Sequence, residues 1–237
     1  MQTHGELRAA MIRRGEKKHG DLVWIAEWQE LWGSLRDELV DAVVWAWVLS
    51  ARAEGYGDTE RQLVRHETAV VRDRMRRCWH LAGHVLPPGH GWQVPGCSPE
   101  RLSGLVYVVG DPVSVPQCPG FVAAVRRRVA HGRAKYGDRS FAAPGRRLVA
   151  EIAEELVAAT LWLEIAWRRV ERAGMTVGET DREATAELLE TLTNAYRRLP
   201  ALELEIPIGA PSVATTPLTE ADAAAWARSR STWVVAG

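Results

Sequence analysis

The chain of 237 residues carries 30 basic and 30 acidic side chains, 46% hydrophobic residues and 3 cysteines. That balance fits a globular protein able to bury a sizeable core and excludes a chain disordered throughout. A formal net charge of zero argues against a general nucleic-acid binder, whose signature is a strong basic excess, and no apolar run reaches the roughly 18 residues of a membrane span.

The N-terminal segment has no apolar stretch behind its charges and does not read as a secretory signal. Cys78, Cys97 and Cys118 form no even-numbered framework, which points to a reducing, cytoplasmic setting. Helix-forming residues run from 3 to 18 and stop at Gly20, where a glycine cap belongs. Asp21 is suited to opening the next turn. A second helix is predicted from about Trp28 to Ala53 and a third, more polar one from about 59 to 84. Residues 85–120 are dense in Pro and Gly and predict an irregular linker, with Leu105 to Val109 as a short strand. The pattern then returns: a helix over 121–135 ending near Gly137 and Asp138, a long helix from Pro144, acceptable in a first turn, to Ala173, and a polar helix over 179–199. Residues 200–237 read as a Pro-rich tail with one short helix around Thr219 to Ser229, packed on the body through Trp226 and Trp233.

The return is a sequence repeat with an offset of 117 residues. Met11 to Arg52 aligns with Arg128 to Arg169 without a gap, with 12 identities in 42 positions. Among the identical pairs are Gly15/Gly132, Lys18/Lys135, Gly20/Gly137, Asp21/Asp138, Glu38/Glu155, Leu39/Leu156 and Trp45/Trp162. Such self-similarity bears directly on the fold. It predicts an all-α protein in which two homologous helical units, 1–84 and 121–199, form one pseudo-symmetric helical bundle. The chain's few lysines, Lys17, Lys18 and Lys135, all fall in or beside the paired KHGD and KYGD turns.

The strongest chemical feature is an acidic stripe on each long helix. Glu151, Glu154 and Glu155 stand at i, i+3 and i+4 and share one arc of the helix; the first unit has Ser34, Asp37 and Glu38 at these positions, followed by Asp41, whose counterpart is Ala158. Each stripe borders an apolar face, Leu31, Leu35, Leu39 and Ala42 in one unit and Leu148, Ile152, Leu156 and Ala159 in the other. Stacked carboxylates repel, and a hard cation such as Mg²⁺ or Mn²⁺, which prefers oxygen ligands, removes that repulsion. The stripes are complementary, so packing the helices side by side would bring six carboxylates, Asp37, Glu38, Asp41, Glu151, Glu154 and Glu155, towards one site. The plainer reading of either stripe is a solvated helix face.

At these residues the sequence resembles the all-α NTP pyrophosphohydrolase superfamily, the MazG-like group with phage and bacterial members. Its hallmark is an EExxE helix and an ExxD helix that hold Mg²⁺ between them. EIAEEL (Glu151, Glu154, Glu155) looks like a variant of the first, DELVD (Glu38, Asp41) matches the second, and the KYGD turn is similar to segments of phage-encoded relatives. The resemblance covers about 40 residues in each half. It implies cleavage of a nucleoside triphosphate to the monophosphate and pyrophosphate, and a duplicated unit building the four-helix core that relatives build as homodimers. On this resemblance two or more Mg²⁺ or Mn²⁺ ions sit on the carboxylates, with Glu38, Glu154 and Glu155 as the catalytic acids and one carboxylate as base. Lys18 and Lys135, with Asp21 and Asp138 in the same turns, would contact the substrate; Arg13, Arg133 or Arg139 would assist at its phosphates. Trp45 and Trp162 would stack its base or else fill the core.

Other features compete. Cys78, His80, His84, His90 and Cys97 include an i, i+4 histidine pair suited to zinc, although their spacing fits no standard finger. Arg72 to Arg77 and Arg126 to Arg128 are basic patches that read as nucleic-acid contacts or, more simply, as solvated helix faces. No phosphate-binding glycine loop or nucleophile elbow is present. The rival to an enzyme is a helical interaction or regulatory protein, phage-encoded, that keeps the duplicated scaffold without catalysis. Ser34 and Ala158, where acids are missing, favour it; the complementarity of the remaining acids favours one live site.

Overall fold

The computed structural model describes residues 3–20, 26–82, 119–136, 143–205 and 219–229. Among them all regular structure is helical: α1 (His4–His19), α2 (Trp28–Arg52), α3 (Asp58–Ala82), α4 (Pro119–Tyr136), α5 (Gly145–Arg172), α6 (Glu179–Tyr196), α7 (Leu199–Glu205) and α8 (Glu220–Arg228), with a 3₁₀ turn at Ala53–Gly55 between α2 and α3. No helix among the described residues is long and apolar enough to cross a membrane. The short strand expected at 105–109, and Trp233, lie outside the described residues.

Local chemistry sets the helix ends. Gly20, after α1, has φ 53°, the left-handed conformation that a glycine adopts without a Cβ penalty. Gly174 closes α5 with φ 61°; its N–H donates to the Glu171 carbonyl (3.1 Å) and the Met175 N–H to the Val170 carbonyl (3.2 Å), the paired bonds of a Schellman cap. Pro144 stands one place earlier than expected, as the residue capping α5 rather than inside its first turn. At α8 the Asp222 N–H donates to Thr219 Oγ1 (3.1 Å) and the Thr219 N–H to Asp222 Oδ2 (2.9 Å), a reciprocal capping box. Residues 200–205, expected as part of a tail, are helical, because α7 runs through Pro200 to Glu205. A proline in the first turn forfeits only an N–H that has no intrahelical acceptor.

The long helices α2, α3, α5 and α6 form the body, each packed on two of the others: α2 on α3 and α5, α6 on α3 and α5. The apolar stripes meet there. Leu31, Leu35, Leu39 and Ala42, with Leu148, Ile152, Leu156 and Ala159, are all at most 1% exposed. The two sequence units interlock, since α1 packs on α5 of the other unit and α4 on α2. Contacts recur at the 117-residue offset. The His4 and Tyr196 rings meet edge-on at 4.9 Å, and Phe121 and Trp79, their counterparts, do so at 5.7 Å. Thr68 Oγ1 donates to the Val64 carbonyl and Thr185 Oγ1 to the Asp181 carbonyl, both at 2.7 Å.

The arginines of 72–77 are not a solvated face. Arg72 and Arg76 are buried and hold the C-terminal end of α8: Arg72 Nη1 donates to the Trp226 carbonyl (3.2 Å) and Arg76 Nη1 to the Ala227 carbonyl (3.3 Å). The Arg72 guanidinium also lies 5.0 Å from the Trp226 ring centroid. Cations at helix carbonyl ends oppose the negative end of the dipole, and Ala223, Ala224 and Ala227 give α8 the thin, buried face that lets it lie on α4.

Candidate functional site

On α2, Glu38 and Asp41 stand three residues apart and so share a side of the helix, at the edge of the stripe made by Leu35, Leu39 and Ala42. On α5, Glu155 holds the same place beside Leu156. Packing α2 on α5 to bury those stripes brings the three acids together: one oxygen each of Glu38, Asp41 and Glu155 lies within 4.8 Å of the other two. Glu38 and Glu155 come from equivalent positions of the repeat, so one site draws on both copies.

Each of that pair is held by an indole from the opposite helix. Trp45 Nε1 donates to Glu155 Oε1 at 3.3 Å, and Trp162 Nε1 donates to Glu38 Oε1 at 3.2 Å. Trp45 and Trp162 are half-buried and packed against the core. Asp41 is held differently: Arg128 of α4 donates from Nε to Oδ1 and from Nη2 to Oδ2, a two-pronged pair matched to the carboxylate plane.

Burial sets the electrostatics. Glu155 is pushed far above the usual carboxylate range, first by loss of solvent and then by its hydrogen bond to Glu38 and the charges of Glu38 and Asp41, against which the Trp45 N–H acts weakly. The direction for Glu155 is that of a carboxyl that holds its proton more tightly beside a second carboxylate, since two charged carboxylates at this distance repel. Asp41 is raised to about 6 by burial, which outweighs the stabilising Arg128, with Glu38 and Asp37 adding to the rise. The donor set is all oxygen, crowded and short of positive charge, which suits a hard divalent cation.

The other expected site residues fall around this centre. Asp37 is exposed, and its charge is felt by Asp41 and Arg128. Glu154 pairs with Arg14 at 3.4 Å and Glu151 with Arg147 at 2.5 Å, so of the six acids expected to converge, three form the cluster. Lys18 falls in the last turn of α1, Lys135 and Arg133 in that of α4, and Lys135 is exposed. Asp21, Asp138 and Arg139 lie outside the described residues. Sequence reasoning missed Arg128 as a partner of Asp41 and the indoles as donors to Glu38 and Glu155. The repeat did hold one signal for the former: the counterparts of Arg128 and Asp41 are Met11 and Ala158, both uncharged.

The zinc constellation is not assembled among the described residues. Cys78 is wholly buried, its thiol driven up by loss of solvent, His80 is buried, and His84, His90 and Cys97 lie outside. Among the described residues the acidic trio is the one group of three or more such ligands close enough to share an ion.

No protein-family model matches the chain, and neither a curated protein nor a solved structure matches it significantly.

Proposed function

We propose that the chain is a metal-dependent nucleoside triphosphate pyrophosphohydrolase of MazG-like type, working in the cytoplasm, with Glu38, Asp41 and Glu155 around a Mg²⁺ or Mn²⁺ site. The observation that supports this reading is the convergence of equivalent acids from both copies of the repeat on one point, each steadied by an indole N–H. Outer partners that orient ligand carboxylates are a usual feature of metal centres.

When bound, the cation supplies positive charge against the triphosphate. The chain's own residues do the rest. Glu38 and Glu155 would hold the cation, and Trp45 and Trp162, which donate to those carboxylates, fix their orientation. Glu154, whose side chain is 32% exposed, sits next to Glu155 and takes a proton from the attacking water. Lys135 and Arg133, at the end of α4, steady phosphate oxygens. The water oxygen bonds to the α-phosphorus as the bond from that phosphorus to the α,β-bridging oxygen breaks, so that monophosphate and pyrophosphate leave and the proton passes from Glu154 to solvent.

The test is a panel of ribo- and deoxyribonucleoside triphosphates with Mg²⁺ or Mn²⁺, scored for pyrophosphate against phosphate. Pyrophosphate from the wild type, lost in Glu38→Gln and Glu155→Gln, supports the reading. No turnover with any triphosphate and no Mn²⁺ binding would overturn it.

A separate observation favours a helical interaction protein as second reading. An open cavity of about 360 Å³ lies between α1, α5 and α6, lined by Arg8, Trp167, Arg168, Arg182 and Leu189 among others. Leu189 is the exposed large hydrophobic residue among those described. If turnover is absent, that face is where a partner is to be sought, and a Leu189→Glu variant that loses the partner would support this reading.

A further inference from the structure

Asp41 and Arg128 form a pair that the other copy of the repeat lacks as a whole. Both oxygens of Asp41 are taken by parallel donors of one guanidinium. At the equivalent positions stand Met11 and Ala158; Met11 packs against the core and Ala158 is 8% exposed. An acid kept as a metal ligand has no reason to vanish together with an arginine on another helix. An ion pair does, at least from one side: Asp41 is buried, so losing Arg128, whose own side chain is 42% exposed, would leave a buried carboxylate without its counter-charge.

Charge balance leads to the same point. With Asp41 matched by Arg128, the negative charge left at the centre is that of Glu38 and Glu155, which one divalent ion neutralises. Asp37, the remaining acid whose charge reaches Arg128 from α2, is exposed and screened by solvent. We infer that Arg128 is a built-in cation standing where a second metal ion would sit, so that the site takes a single divalent ion on Glu38 and Glu155, and Asp41 and Arg128 act as a positioning pair rather than as metal ligands. This rests on the metal-dependent reading above and departs from the two or more ions, and the ExxD ligand, that the family resemblance implies.

The experiment is a Mn²⁺ titration of the full chain, followed by the electron paramagnetic resonance of free Mn²⁺, on three proteins: wild type, Arg128→Met, and Arg128→Met with Asp41→Ala, which copies the other half of the repeat. The wild type is expected to bind one Mn²⁺ per chain. The double variant keeps one, with an affinity within about threefold, as for a change that leaves the ligands in place. Arg128→Met alone, which leaves the Asp41 carboxylate unpaired beside Glu38 and Glu155, binds Mn²⁺ about tenfold tighter or takes a second ion. A double variant that folds, by circular dichroism, yet loses about tenfold or more in affinity would make Asp41 a ligand and overturn the inference, as would two ions in the wild type. No Mn²⁺ bound by any of the three would overturn the metal-dependent reading itself, an outcome distinct from either.

Discussion

Trp45 reaches across to Glu155, and Trp162, its counterpart 117 residues on, reaches back to Glu38, the counterpart of Glu155. The two contacts are equivalent under the 117-residue offset of the repeat. If the indole N–H groups orient the carboxylates, Trp45→Phe and Trp162→Phe should behave alike. Each keeps one aromatic ring, and loses a donor to a carboxylate together with part of the indole's packing. We expect each to cost about 1 kcal/mol in urea unfolding and to weaken Mn²⁺ binding about tenfold. Unchanged Mn²⁺ affinity in both variants would reduce the indoles to packing.

The raised Glu155 carboxyl makes stability depend on pH. Glu155 is raised in the folded chain, so its contribution is fully present below the unfolded value near 4.5 and is lost as pH rises towards the folded one. Between those limits the unfolded state has released a proton that the native state retains, and stability falls with pH. Asp41 adds the same sign over a narrower window, from 3.8 to about 6. In EDTA, urea midpoints should therefore fall from pH 5 to pH 8 more steeply for the wild type than for Glu155→Gln. Mn²⁺ binding at pH 7 should expel about one proton, because ligand carboxylates must be charged. Calorimetry in two buffers of different ionisation enthalpy measures it; identical observed heats in the two buffers would argue against proton displacement.

Much of the scaffold was legible because helix signals are local. Gly20, the apolar spacing of Leu31, Leu35 and Leu39, and the 117-residue repeat each predict structure from neighbours in sequence. The meeting of Glu38 with Glu155 was legible too, since the stripes that border them have to be buried against one another. Arg128 on Asp41 was not: the partners are 87 residues apart, and nothing local fixes which face of α2 the fourth helix covers. The packing of Trp45 and Trp162 against the core was legible, but their bonds to the carboxylates were not, because a tryptophan at an apolar edge gives no sign of where its N–H points. Residues 200–205 were read as tail because Pro200 looks like a breaker, although in a first turn it breaks nothing.

Three glycines separate helix propensity from backbone need. Gly15 and Gly132 are a repeat pair inside α1 and α4, and a Cβ built on either meets nothing within 4 Å. Ala there should stabilise by about 0.5–1 kcal/mol each through helix propensity. Gly174 also has open space, but its φ is 61°, so Gly174→Ala should cost about 1 kcal/mol. Thermal melts decide the signs. Loss of stability in Gly15→Ala would mean that the residues around 15 need a close approach that the packing of α1 does not account for.

The basic run at 72–77 offers the sharpest contrast between a sequence reading and the packed chain. A surface patch that touches nucleic acid would lose affinity, and little stability, when an arginine is neutralised. Arg72 is instead 2% exposed, donates to Asp73 Oδ1 at 2.9 Å and to the Trp226 carbonyl at 3.2 Å, and covers the Trp226 ring. Arg72→Gln retains a donor but loses the charge, the fork and the cation–π contact, while the pair between Asp73 and Arg76 stays in place. We expect a loss of about 2 kcal/mol in urea unfolding, little altered by 0.5 M NaCl because the guanidinium is buried, and a loosened α8, seen as faster amide exchange over 220–228. A variant as stable as the wild type would mean that α8 is held by its alanine face alone.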